Sequence, residues 1–105
     1  MAVEALDAIG DPTRRRILTL VASHERSVRD LTDELPVTQS AVSQHLRVLR
    51  DSGLVTVRAE GTRRLYRVDL DGLAEVRRWV DGFWDDVLSA FAAHVSTDPS
   101  TQETP

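Results

Sequence analysis

The sequence predicts a small, mainly α-helical domain of the α+β class, in which a β-hairpin separates several short helices from one long terminal helix. Apolar residues recur at helical spacing through most of the first 53 residues. Two β-rich runs around a glycine-containing segment follow, and helical spacing then returns from about residue 70. A chain of 105 residues can bury one modest core and is too short for two.

The first two helices are predicted from residue 2 to about Ser23. A short helix spans residues 2–10. The second helix begins at the pair Asp11-Pro12, because Asp is a favourable N-cap and Pro fits the first helical position. Apolar residues at core spacing carry this helix to about Ser23.

Two further helices are joined by a three-residue turn. Ser27 and Asp30 have the spacing of a capping box, which begins the third helix, and Pro36 ends it. Thr38 caps the fourth helix and Gly53 stops it. This pair of helices is predicted to form a helix-turn-helix.

The hairpin is predicted from a change of period. Residues 54–58 and 65–69 are β-rich, and residues 59–64 between them contain Gly61, which suits a turn that needs a positive φ. These six residues are therefore expected to form the hairpin loop.

The long helix begins at Asp69 or Asp71 and runs to about Val95. It carries more large apolar side chains than one small domain can cover. We therefore expect the protein to be a homodimer, in which the long helix and the first helix contact the second copy. The expected interface comprises Leu73, Val76, Val80, Phe83, Trp84, Val87 and Phe91. Trp79 and the other aromatic residues could instead line a cavity for an inducer, although core and dimer contacts are favoured. Residues 1–95 form the expected single domain, and residues 96–105 a disordered tail.

The fourth helix has two different sides. At 100° per residue, the apolar residues fall on one side, namely Ala41, Val42, His45, Leu46, Val48 and Leu49. Gln, Ser and Arg side chains on the other side suit entry into the major groove, where Gln pairs with adenine and Arg with guanine or phosphate. The predicted DNA contacts of this recognition helix are Thr38, Gln39, Ser40, Ser43, Gln44 and Arg47.

Arginine is concentrated in and beside the hairpin. Arg58, Arg63 and Arg64 are predicted to contact DNA as a wing, through backbone phosphates or the minor groove. The net charge is −4, yet residues 26–67 carry +3 and residues 68–105 carry −6. A basic DNA-binding middle is thus compatible with an acidic total. Among Arg14, Arg15 and Arg16, at most one phosphate contact is expected.

These features together resemble the ArsR family of winged-helix transcriptional regulators across about residues 4–95. The matching segments are ALDAIGDPTRRRIL, SVRDLTDELPVTQSAVSQHLRVLRDSGLV, AEGTRRLYRV and GFWDDVLSAF. The resemblance implies a winged helix-turn-helix with N- and C-terminal dimerisation helices. It also implies a homodimeric repressor of its own operon that binds palindromic double-stranded operator DNA and leaves it in response to a signal, such as an unknown small-molecule inducer.

The sequence departs from the metal-sensing members of this family and looks closer to its cysteine-free branch, whose ligand is often unknown. It contains no cysteine, and the segment TDELPVT stands where such members carry a Cys-x-Cys motif. The long helix offers His94 with Asp81, Asp85 and Asp86, a weak pattern for a metal site. We therefore expect no metal and no cofactor.

Other functional classes are disfavoured. No catalytic constellation is visible, so an enzyme is not expected. Neither a membrane span nor a signal peptide is present in the sequence, which predicts a cytoplasmic protein without a membrane partner. His24 is interpreted as a cap at a helix end, and His45 as a partly buried imidazole rather than a pH switch. The alternative is a winged-helix module that binds an acidic protein without sequence-specific DNA recognition.

Overall fold

The computed structural model describes residues 2–97, and its element order confirms the predicted class. Four short helices precede a two-stranded antiparallel sheet, and one long helix follows it. The elements are α1 (Ala2–Ala8), α2 (Pro12–Ser23), α3 (Val28–Glu34), α4 (Gln39–Asp51), β1 (Val55–Glu60), β2 (Arg63–Val68) and α5 (Leu70–Thr97).

The predicted helix ends are present. The side chains of Asp11, Ser27 and Thr38 each accept a hydrogen bond from the backbone N–H three residues later, so each caps the helix that follows. Asp30 completes the capping box by accepting from the backbone N–H of Ser27 at 3.0 Å. Gly53 follows α4 with a φ of +79°, which a residue with a Cβ rarely adopts.

The hairpin loop is shorter than the predicted segment 59–64. The ladder continues to the pair Glu60 and Arg63, so only Gly61 and Thr62 form the turn. Gly61 has a φ of +63° and Thr62 has no positive φ, the pattern of a type II′ turn. The predicted loop was too long, because polar residues are as compatible with an exposed strand as with a loop. Residues 59, 60, 63 and 64 therefore pair in the sheet.

A single core lies between α1–α4, the hairpin and the first turns of α5. Its fully buried members include Ile17, Leu31, Val42, Leu46, Leu49 and Leu54. Val76 is the last buried residue of α5. It was predicted in the dimer interface, but it packs in the core of the protomer itself because α1 covers this part of α5.

The rest of α5 projects beyond the core. The radius of gyration is 19.5 Å, whereas a compact chain of this length has about 13 Å. Residues 96 and 97, assigned to a disordered tail, belong to α5, and residues 98–105 lie outside the described part of the chain. The projecting helix leaves a large surface without a partner inside the protomer.

Candidate nucleic-acid interface

The recognition helix α4 is anchored by one side and open on the other. Val42, Leu46 and Leu49 are completely buried. The predicted DNA-contacting residues of this helix and its cap are all exposed, namely Thr38, Gln39, Ser40, Ser43, Gln44 and Arg47, and Arg50 is exposed with them. Small and polar side chains near the start of the helix permit close approach to base edges in a major groove.

The apolar side of α4 is narrower than the sequence suggested. Val48, predicted to pack, is 36% exposed. It lies about 120° round the helix from Val42, at the margin of the buried side. His45 is half-buried, as predicted, and its Nδ1 lies 3.4 Å from a guanidinium nitrogen of Arg14.

A groove of about 380 Å³ joins the recognition helix to the hairpin. Arg47 and Arg50 line it from α4, and Arg64 and Tyr66 line it from β2. Three arginines and one carboxylate, that of Asp51, thus line one groove, and its net positive charge attracts phosphate. Arg50, which lay on the polar side of the helix but outside the predicted contact set, belongs to this surface.

The other two predicted wing arginines are paired within the protein. Arg58 donates two hydrogen bonds of 2.8 Å to the carboxylate of Glu25, and Arg63 donates one of 2.9 Å to Asp30. Within residues 2–97, the guanidinium of Arg64 has no such carboxylate partner. The pairs tie the hairpin to the start of α3, which leaves Arg64 as the wing arginine available for DNA.

Arg26 links α2, α3 and β2 through buried contacts that the sequence did not predict. Its side chain is buried, donates to the carbonyl of Leu20 at 2.9 Å and forms an ion pair with Glu34. Its backbone exchanges two hydrogen bonds with Tyr66 of β2, at 3.0 and 2.8 Å. The only sequence signal was an arginine directly before the Ser27 cap, which did not distinguish it from a solvated residue.

Hydrogen bonds, and secondarily the charges of Arg58 and Arg63, lower the pKa values of two carboxyl groups. Hydrogen bonds from Arg58, together with its charge, lower the pKa of Glu25 from 4.5. The backbone and hydroxyl hydrogen bonds of Ser27, and then the charge of Arg63, lower the pKa of Asp30 from 3.8. The pKa of Arg58 is raised, chiefly by the hydrogen bonds to Glu25. Each carboxylate therefore favours the folded state while it is ionised.

We expect Glu25→Gln to weaken the acid dependence of stability. Because the folded-state pKa of Glu25 is depressed, its contribution is present above the unfolded value near 4.5 and is lost as pH falls through the folded value. Urea unfolding followed by circular dichroism from pH 7 to pH 3 measures this dependence. The difference in free energy of unfolding between wild type and variant should be constant near neutrality and should disappear as the pH falls below 4.5. A difference independent of pH would contradict the role of the Glu25–Arg58 pair.

The consecutive arginines at the start of α2 have different environments. Arg14 donates to the carbonyl of Ala8 at 2.6 Å and Arg15 to that of Ile9 at 2.8 Å, so both satisfy the end of α1. Arg16 is exposed, and the described residues give it no such partner. The expectation of at most one phosphate contact from this run therefore points to Arg16.

Five of the seven predicted dimer residues lie on α5 beyond Val76 and are exposed. Phe83, Trp84 and Phe91 are 54%, 59% and 63% exposed, and Val80, Val87 and Leu88 are exposed beside them. Leu73 is half-buried against the core. The rings of Trp79 and Phe83 stack 5.4 Å apart on the surface of the helix and so do not enclose a cavity in one protomer. A contiguous exposed apolar face of this kind marks an interaction surface.

In residues 2–97, no three His, Asp or Glu side chains come together as a potential metal site. His94 is exposed near the end of α5, as are Asp81, Asp85 and Asp86, and His24 lies at the C-terminal end of α2. The same residues include no helix with the length and hydropathy needed to cross a bilayer.

Known proteins are similar to this chain in sequence and in fold. Residues 11–57 match the family described as "Bacterial regulatory protein, arsR family". The HTH-type transcriptional regulator Rv2034 of Mycobacterium tuberculosis is 42% identical over 94 residues, which cover 90% of this chain and 88% of that protein.

Two solved structures extend the comparison. A possible transcriptional regulator for arsenical resistance aligns with a TM-score of 0.74 and 45% identity, covering 87% of this chain and 95% of the other. The homodimeric winged helix-turn-helix domain Mb0332 from Mycobacterium bovis aligns with a TM-score of 0.65 and 30% identity, covering 80% and 78%. Rv2034 is a transcriptional regulator, and the other two proteins are possible transcriptional regulators.

Proposed function

The chain belongs to the ArsR family and is a DNA-binding transcriptional regulator, and from that premise we propose that it is a homodimeric repressor of its own operon. In this proposal it binds a palindromic operator in the cytoplasm and leaves the DNA when a signal arrives. The observation that carries the proposal is the exposed polar side of α4, which continues across a groove to Arg64 of the hairpin.

Base recognition is assigned to the first half of α4. Gln39, Ser40, Ser43 and Gln44 occupy its exposed side, with Arg47 one turn further on. The N-terminal residues of a recognition helix contact base edges, while arginines at the edge of the helix reach guanine or phosphate. The hydroxyl of Thr38 accepts the N–H of Ala41 at 3.1 Å and so caps the helix. Its O–H can still donate a hydrogen bond to DNA, because a hydroxyl is both donor and acceptor.

The homodimer is supported by the bare apolar face of α5. A single recognition helix contacts too few base pairs to specify an operator. Two recognition helices related by a two-fold axis contact two half-sites that lie about one helical turn, or a multiple of it, apart. The related domain Mb0332 is homodimeric. Val3 of α1 is also exposed and is available to the same interface.

The alternative is a protein-interaction module whose arginine surface meets an acidic partner. The two functions differ in sequence dependence. A repressor should bind its own promoter about 10³-fold or more tighter than a scrambled duplex, at physiological salt. Fluorescence anisotropy with both duplexes measures the ratio, and equal affinities would favour the interaction module.

We expect Arg64→Ala to reduce the salt dependence of operator binding more than Arg63→Ala does. A phosphate contact contributes about −0.9 to the slope of log K against log salt. Removal of Arg64 should therefore make the slope shallower by about one and weaken all DNA sequences alike. The guanidinium of Arg63 is engaged by Asp30, so Arg63→Ala should change the slope less.

Titration at several salt concentrations tests both variants. Arg63→Ala is the matched control, because it removes the same charge from the neighbouring position of the same strand. Unchanged binding and slope for Arg64→Ala would remove the wing from the DNA-binding surface.

A further inference from the structure

The turn that follows the recognition helix and the first turn of the long helix meet at a point of very close backbone approach. α4 ends at Asp51, and Gly53 turns the chain towards β1. The carbonyl oxygen of Gly53 lies against Gly72 in the first turn of α5. A Cβ atom on Gly72 would lie 1.9 Å from that oxygen and 2.9 Å from the carbonyl carbon. Only glycine fits this contact without movement of the backbone.

Backbone hydrogen bonds through Leu54 connect the end of α4 to the start of α5. The backbone N–H of Leu54 donates to Leu49 of α4 at 2.9 Å, and the carbonyl of Leu54 accepts from the N–H of Asp69 at 2.8 Å. The carboxylate of Asp69 then accepts from the N–H groups of Asp71 and Gly72, at 3.0 and 3.3 Å. A continuous series of backbone contacts therefore links the end of α4 to the start of α5.

We propose that Gly72 is a positioning residue, whose contact with Gly53 sets the angle between α4 and α5 and thereby the half-site spacing that the dimer reads. The inference rests on the proposed function, because α5 must join the two copies. In such a dimer, the position of each recognition helix relative to the two-fold axis depends on the angle at which α5 leaves the protomer, and α1 and the Gly53–Gly72 contact hold that angle.

The length of α5 makes the spacing sensitive to this contact. The middle of the apolar face, at Val87, lies roughly 22 Å along the helix from Gly72. A tilt of about 5° at the first turn therefore displaces it by roughly 2 Å, and the second copy doubles the relative shift of the two recognition helices to about 4 Å. The rise of one base pair is about 3.4 Å. A small change at Gly72 is thus enough to move a recognition helix by about one base pair along the DNA.

Gly72→Ala is the direct test. Non-bonded atoms settle about 3.5 Å apart, so the helix and the turn must separate by roughly 1.5 Å to admit a methyl group. Gly82→Ala is the matched control in the same helix, because a Cβ at Gly82 meets nothing within 4 Å. Gly82 also lies about 200° round α5 from Val80, away from the apolar face.

The experiment measures affinity for duplexes in which two half-sites, selected with the wild type, are separated in steps of one base pair. Wild type and Gly82→Ala should prefer one spacing by about tenfold over its neighbours, since a wrong spacing must be met by deforming the DNA. Gly72→Ala should prefer a different spacing, or lose the preference, while it still distinguishes bases within one half-site. Sedimentation confirms that each variant is a dimer.

Asp69→Ala covers the case in which Gly72→Ala does not fold. It removes the carboxylate that holds the first turn of α5 and adds no atom to the contact, so it should fold and flatten the spacing preference. If the folded variants keep the wild-type spacing and its discrimination, the inference is wrong while the repressor proposal stands. If the wild type itself shows no spacing preference, the two-headed dimer is wrong and the inference falls with it.

Discussion

Val87→Asp is expected to sediment as a monomer at micromolar concentration and to lose operator binding, although this residue lies far from the recognition helix. Val87 is exposed in the middle of the apolar face of α5, between Phe83 and Phe91 on adjacent turns. In a dimer, an aspartate here would be buried without a partner, at an effective cost of several kcal/mol. One head alone should bind at the level of non-specific DNA, about 10³-fold or more below the dimer.

Ser89→Asp is the matched control for this loss. It introduces the same charge two residues later, about 200° round the helix and on its polar side. The control should remain dimeric and bind the operator normally. Sedimentation velocity and anisotropy together separate the outcomes. A monomeric wild type, or a Val87→Asp variant that binds the palindrome as the wild type does, would refute the α5 dimer.

Loss of base recognition is the second large effect. Gln44→Ala and Arg47→Ala should each cost about 1–3 kcal/mol on the operator and clearly less on random duplex. Both side chains are exposed on the polar side of α4 and neither supports the core, so stability should be unchanged. Arg47 has only a distant ion pair, 4.0 Å from Asp51, and is available to DNA.

Arg78→Ala provides the comparison for charge alone. Arg78 is exposed on α5, outside the proposed DNA-binding surface, so its removal should leave both affinities nearly unchanged. Affinity for the operator and for a scrambled duplex is measured at one fixed salt concentration. An equal loss on both DNAs for Arg47→Ala would show that this side chain positions the protein on the backbone and does not read bases.

Local contacts explain why the element order and helix starts could be predicted from the sequence. A cap such as that of Asp11, Ser27 or Thr38 is satisfied by a backbone group three residues away. The apolar period of α4 likewise identified Val42, Leu46 and Leu49 as its buried residues. Such interactions lie within one or two turns, so their residues are adjacent in the sequence.

Contacts with distant partners could not be predicted from the sequence. Arg58, Arg63 and Arg64 look alike in the sequence, because all three are arginines in the same hairpin. Arg58 and Arg63 nevertheless pair with carboxylates that lie 33 residues earlier in the chain. Val76 has the same helical spacing as Val80, but α1 buries it in the protomer. Periodicity identifies an apolar side of a helix and does not say which element covers it.

The sequence by itself determined the helix-turn-helix, the hairpin, the polar side of α4 and the apolar side of α5, because each depends on residue type and spacing within one element. Only the tertiary structure decided that, of the three predicted wing arginines, Arg64 is the one without a carboxylate partner among residues 2–97, and that Gly72 must lack a side chain. The physical reason is that ion pairing and close backbone approach depend on which distant segments meet. That meeting is fixed by the packing of the whole core, not by any local pattern.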